Sequence, residues 1–232
     1  MSTHIIAPRR FLLALSLLQT ITIVSLATAV PPAGTPSLSV TASPPETNIA
    51  VNQPLAAPAG ADAGEIQTRW VKDAEFRGVT QDFVWESDVP LATIGLRISP
   101  EQNKRFKFFQ PQKYALDVQE LSENRIILKT LASLEFTLEP AFVQSEKYLI
   151  VTPAATIPLT SGGHYGFHLR PLEQNNRNRL LLSTGGRRTG DSFSGGAAMQ
   201  TNVSGLVSAG VRYGNASADF DVTFFLAAKA GK

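Results

Sequence analysis

Tyr114–Leu138 reads YALDVQELSENRIILKTLASLEFTL. At its start Tyr114, Leu116 and Val118 alternate with polar Asp117 and Gln119. At its end Leu134, Phe136 and Leu138 alternate with Glu135 and Thr137. A side-chain period of two with one apolar face predicts half-buried strands of an antiparallel sheet. The pattern recurs on both sides of this stretch. Val79, Phe83 and Trp85 alternate within Arg77–Trp85, and Ala92, Ile94, Leu96 and Ile98 within Leu91–Ile98. Tyr148–Val151 is a short apolar run. Tyr165, Phe167 and Leu169 alternate with Gly166, His168 and Arg170, and Phe220, Val222, Phe224 and Leu226 with Asp221 and Thr223. Pro90, Pro100, Pro111, Pro140, Pro153, Pro158, Pro171 and the pair Gly162-Gly163 punctuate the runs. The reading is all-β: a two-sheet antiparallel sandwich, jelly-roll-like, of about 8–10 strands.

The rest of the 232-residue chain frames this domain. Arg9-Arg10 opens an uncharged run that ends in Ala27-Thr28-Ala29. A charged start, an apolar middle and a small-x-small end predict a secretory signal over residues 1–29, cleaved so that no stable membrane span remains. Residues 30–64 hold seven Pro, two acids and no Lys or Arg. That composition predicts a disordered linker, leaving residues 65–232 as the sandwich domain. Export in turn predicts a secreted, extracellular or periplasmic location, and a chain without cysteine suits a bacterial one. Removing Arg9 and Arg10 leaves 19 basic against 19 acidic residues. A neutral domain gives no reason to expect nucleic acid as a partner. With Cys 0 there is no disulfide framework, thiol nucleophile or Cys-based zinc site.

Several segments, taken in order, resemble the non-catalytic jelly-roll β-sandwich modules of secreted bacterial proteins, described as carbohydrate-binding-like or surface-anchored. They are QDFV at Gln81–Val84 running to LATIGL at Leu91–Leu96, YALDVQEL at Tyr114–Leu121, LTSGGHYGFHLR at Leu159–Arg170, GDSFSGGA at Gly190–Ala197 and DFDVTFFL at Asp219–Leu226. The resemblance covers about residues 75–228. It implies a binding role without catalysis.

Candidate chemistry follows from residue types. His164 and His168 sit four residues apart on one predicted strand, about 13 Å when extended. One metal ion with bonds near 2 Å cannot take both, so they read as exposed residues of a strand face. His168 with Arg170 lines a polar binding surface on this reading. Arg187 and Arg188 offer cations to an acidic sugar or sulfate, and Asp191 and Phe193 stand in the same Gly-rich loop. Trp70, Tyr213 and Phe193 fall outside the alternating runs and are the candidate sugar-stacking rings, whereas Trp85, Tyr165 and Phe167 read as core. Asp219 and Asp221 lie two apart beside Asn215. They are the candidate ligands for a structural calcium; no other cofactor is implied. Gly190-Asp191-Ser192 lacks both the Gly-Gly that shapes a trypsin-like oxyanion hole and a following His, so it is not a nucleophile motif. Glu120, Glu135 and Glu139 are the carboxylates a glycosidase would need to pair. The expectation is a secreted, non-catalytic binding module for a glycan. The alternatives are a structural or adhesive surface protein that binds other proteins through a sheet edge, and a small jelly-roll glycan-active enzyme.

Overall fold

Alternation decides which face of each strand is apolar, and two apolar faces laid together make the core. The computed structural model describes residues 34–53, 64–70, 76–104, 107–173, 178–185, 198–201 and 221–230. Among them run thirteen strands: β1 (Ser37–Thr41), β2 (Ile49–Gln53), β3 (Gly64–Trp70), β4 (Phe76–Val84), β5 (Leu91–Arg97), β6 (Gln112–Leu121), β7 (Ile127–Leu138), β8 (Tyr148–Thr152), β9 (His164–Pro171), β10 (Leu180–Gly185), β11 (Ala198–Thr201), β12 (Asp221–Val222) and β13 (Phe224–Ala228). The smaller sheet has the order β1-β8-β5-β13-β2. The larger has the order β12-β10-β3-β4-β9-β6-β7, with β11 also on β4. The pairings are antiparallel, and the fold is an all-β sandwich.

Val79 and Phe83 of β4, Tyr114, Leu116 and Val118 of β6, and Phe167 and Leu169 of β9 form one inner face. Ile94 and Leu96 of β5, Leu149 and Val151 of β8, and Phe224 and Leu226 of β13 form the other. Phe224 joins them: its ring centroid lies 5.4 Å from that of Phe167, edge to face, and 6.5 Å from that of Phe83. Each fully buried ring of this kind contributes about 1.5–3 kcal/mol by leaving water.

Within the span predicted from composition to be a linker, residues 34–53 carry two paired strands. β1 and β2 lie within that span and make both edges of the smaller sheet. Leu38 and Val40 oppose Val151 and Leu149, and Val51 opposes Leu226. The prolines sit where strands tolerate them: Pro36 just before β1, and Pro44 and Pro45 in the turn after it. The strand number also exceeds the predicted range. β10 (LLLSTG) was not foreseen because a continuous apolar run, buried on both faces, shows no alternation.

One close approach explains a glycine. Gly95 of β5 pairs with Phe225 of β13, and a methyl group placed on Gly95 would overlap the Phe225 ring. That ring is 1% exposed and lies 5.4 Å from Tyr148 on the outer face of the smaller sheet.

Burial sets an alkaline limit. Tyr114 is fully buried, with its hydroxyl 3.2 Å from Thr68 Oγ1. Loss of water drives its phenol well above the ordinary range, and the Thr68 hydrogen bond opposes this weakly. Tyr148 is pushed up by burial too, against the pull of Arg97. Unfolded phenols ionise near about pH 10. Stability is therefore complete below that pH and falls as pH rises above it, because the unfolded chain releases protons that the folded chain retains. In an alkaline titration, phenolate absorbance from these two tyrosines should appear together with loss of strand circular dichroism. Ionisation of all four tyrosines in a still-folded chain would contradict this.

Candidate functional site

The outer face of the larger sheet is built around a carboxylate that sequence reasoning passed over. Asp117 of β6 lies opposite His168 of β9 and Ser133 of β7. Ser133 Oγ donates to Asp117 Oδ1 at 2.6 Å, and Arg170 Nε donates to Oδ2 at 2.8 Å. His168 Nδ1 stands 3.9 Å from Oδ2, too long for a hydrogen bond. Side-chain exposure is 2% for Asp117, 0% for His168 and 19% for Arg170.

His168 and Arg170, read from the sequence as lining a polar binding surface, both approach Asp117, but the two do not form an exposed surface. His168 is buried, in contrast to the expected exposed face residue, and His164 alone of the pair is exposed. The reason lies in the register. His168 sits mid-sheet between Thr80 and Asp117, whereas His164 is the first residue of β9. The serine here is also not an activated nucleophile. In such a site the imidazole lies between serine and carboxylate, and here the serine proton goes to the carboxylate itself.

A second ion pair ties the β6–β7 hairpin across the sheet. Arg125, at φ 60 in the turn, reaches Asp82 of β4 with Nε–Oδ2 2.8 Å. Gly166 of β9 lies between Asp82 and Gln119 in register, and having no side chain it leaves the path open.

Asp221 faces inward at the start of β12. Its Oδ1 accepts from Gln81 Nε2 at 2.9 Å, while Gln81 Oε1 accepts from Val222 N at 2.9 Å. Its calcium partner in the sequence reading, Asp219, lies outside the described residues, as do Arg187, Arg188, Asp191 and Phe193. Trp70 ends β3 opposite Phe76, and its side chain is likewise outside the description. Among the described residues no group of three or more His, Asp or Glu is placed to share a metal ion. Trp85, Tyr165 and Phe167 are core residues, as expected.

Two surface features remain. A cleft of about 500 Å3 opens on the outer face of the smaller sheet, beneath the β1–β2 turn. The second is the free edge of β7, which pairs with β6 alone among the described strands. The hydrogen-bond direction along this edge follows from one observed bond. Lys113 O accepts from Leu172 N at 2.8 Å, so the main-chain groups of Lys113 point toward β9. In an antiparallel sheet successive residues point to opposite sides. Gln112, Tyr114, Leu116 and Val118 therefore point toward β7, where they oppose Leu138, Phe136, Leu134 and Ala132. Ser133, Glu135 and Thr137 are left with N–H and C=O turned away from β6. The other half of β7 is different. Register shifts between Val118 and Gln119 and between Glu120 and Leu121 break its regularity, and Lys129 pairs with Glu120 at 2.9 Å. Bulges and lysines are devices that blunt an edge, and Ala132–Leu138 has neither.

No family model matches this chain, and no curated protein matches it.

The Asp117 hub yields a stability prediction. Asp117→Asn leaves Arg170 largely buried without a counter-charge and should cost about 3 kcal/mol in denaturant unfolding. The double variant Asp117→Leu/Arg170→Leu removes both charges and should cost less than the single one. A single variant milder than the double would contradict the pairing.

Proposed function

We propose that this chain is the non-catalytic recognition module of a secreted protein, and that it binds an extended segment of another polypeptide along β7. The supporting observation is the three-residue run Ser133, Glu135 and Thr137, whose main-chain donors and acceptors face away from β6. A strand added there would gain backbone hydrogen bonds in register, the mode of β-augmentation. Export is supported by the charged start and the Ala27-Thr28-Ala29 end of the N-terminal run.

The side chains on this edge define the partner. Glu135 and Thr137 are exposed, and Glu135 makes no ion pair among the described residues. A like copy paired antiparallel about Glu135 would set two carboxylates directly opposite, which is unfavourable. The fitting partner carries Lys or Arg opposite Glu135. Its alternate positions are apolar, where they would meet Phe136 and Leu138 at the rim of the core.

The glycan reading draws on exposed paired rings, and the enzyme reading on facing carboxylates. The ring pairs among the described residues lie in the core or on Tyr148–Phe225. Phe109, 62% exposed, has no ring beside it in the described set. Glu120 is held by Lys129, Glu135 stands on the open edge, and Glu139 precedes a short 3-10 turn at Pro140–Phe142. These observations favour the edge.

A peptide array tests the reading directly. Peptides with one central Lys or Arg flanked by alternating apolar residues should bind the chain, and Glu135→Lys should reverse the preference to acidic centres. Thr137→Pro removes an outward N–H while leaving the β6 ladder intact, a position where sheets accept proline. It should weaken binding at least about tenfold, with an unfolding midpoint near the parent's. Binding unaffected by Thr137→Pro, or no peptide bound at all, would overturn the proposal.

A further inference from the structure

The cleft on the smaller sheet is separate from the β7 edge and has its own chemistry. Its floor is apolar: Ile150 of β8 and Phe225 and Ala227 of β13 all point outward from the core. Its wall is the β1–β2 turn, with Pro44 and Pro45 rigid in φ and Glu46 beside them. The turn is fixed at both ends. Thr41 Oγ1 donates to Ser43 O at 3.0 Å, and Asn48, at φ 63, accepts from Ala228 N at 2.8 Å through its carbonyl. The space, about 500 Å3, lies within the usual range for small-molecule sites.

Charge decides what fits. Glu46 carries the one charge among the described lining residues, and it is exposed with no ion pair on any described residue. An anion would meet that carboxylate without a compensating cation. A cation would meet a carboxylate at the mouth and an apolar floor beneath. The same sheet face already accepts this combination, since Arg97 lies over the Tyr148 ring at 5.5 Å to its centroid. The hydroxyls of Thr41 and Thr93 at the cleft add acceptors for N–H donors.

We infer that this cleft binds a small organic cation: an ammonium or guanidinium head at Glu46, with an apolar body against Ile150, Phe225 and Ala227. The head sits at the solvent side, so charge contributes selectivity, and the Pro44–Pro45 wall together with the floor contributes the contact area.

Three probes of one shape separate these contributions: benzylammonium, benzyl alcohol and benzoate, titrated into the full chain and followed by amide chemical shifts. The expected result is shifts at Thr93, Ile150 and Ala227 with benzylammonium, about tenfold tighter than with benzyl alcohol and weakened by added salt. Glu46→Gln, in an exposed turn, should remove that preference without changing the unfolding midpoint. Equal affinity for the amine and the alcohol, preference for benzoate, shifts located elsewhere, or no binding would each overturn the proposal. Thr137→Pro should leave the titration unchanged, so failure here and failure of the edge reading are told apart.

Discussion

One stretch of chain belongs to both sheets, and the sandwich depends on it. Asp221 and Val222 pair with β10 in the larger sheet, and Phe224–Ala228 run between β5 and β2 in the smaller. Thr223 is the crossing point: its N–H donates to Ser183 O at 2.8 Å, and its C=O accepts from Arg97 N at 3.0 Å. Main-chain bonds thus connect the layers at one side, helped by the bridge between Ile98 and Leu182 and by Ser99 N to Leu181 O at 2.9 Å. Gln81 locks the start of the crossing by holding both the Asp221 carboxylate and the Val222 N–H. Two residues after Val222, Phe224 enters the core between Phe83 and Phe167. Among the described residues the sandwich is therefore joined by backbone at its β10–β12 side and held elsewhere by side-chain packing. Its far boundary, β7, has no such closure among the described strands.

The polar groups buried on the larger sheet act on register more than on net stability. A one-residue slip of β6 against β9 would exchange Asp117 for Leu116 beside His168 and bury an unmatched carboxylate in the core. Buried ion pairs of this kind contribute little net stability, because desolvation offsets attraction, but breaking one is costly. Asp117 with Arg170, and Asp82 with Arg125, therefore fix how β4, β9, β6 and β7 align. That alignment in turn determines which β7 residues face outward. The open edge at Ser133, Glu135 and Thr137 is a consequence of the register that Asp117 enforces.

Strands with one apolar and one polar side were legible in the sequence. β4, β5, β6, β7 and β9 alternate because one face is apolar, and each was expected near its observed place; β13 (FFLAA) is apolar on both faces and was reached through the alternation of Val222, Phe224 and Leu226 with Asp221 and Thr223. β10 was not, since Leu180–Leu182 is apolar on both sides. β1 and β2 were hidden by composition: proline and alanine dominate their surroundings, while the strand signal is two or three residues such as Leu38, Val40 and Val51. The candidate site was legible in part. Arg170 and His168 stood out by residue type, but Asp117 looked like any outward polar residue of an alternating strand. Only the pairing of β6 with β9 and β7 brings it against its partners, and pairing is a long-range property that no local pattern contains.

A strand can be added at β7 only if its main-chain groups point away from β6, and amide hydrogen exchange of the free protein reads that direction residue by residue. The structure predicts slow exchange at Leu134 and Phe136, whose N–H groups bond to β6. It predicts exchange faster by orders of magnitude at Ser133, Glu135 and Thr137, which face away from it. Equal protection along Ala132–Leu138 would contradict it, since the edge would then already be covered.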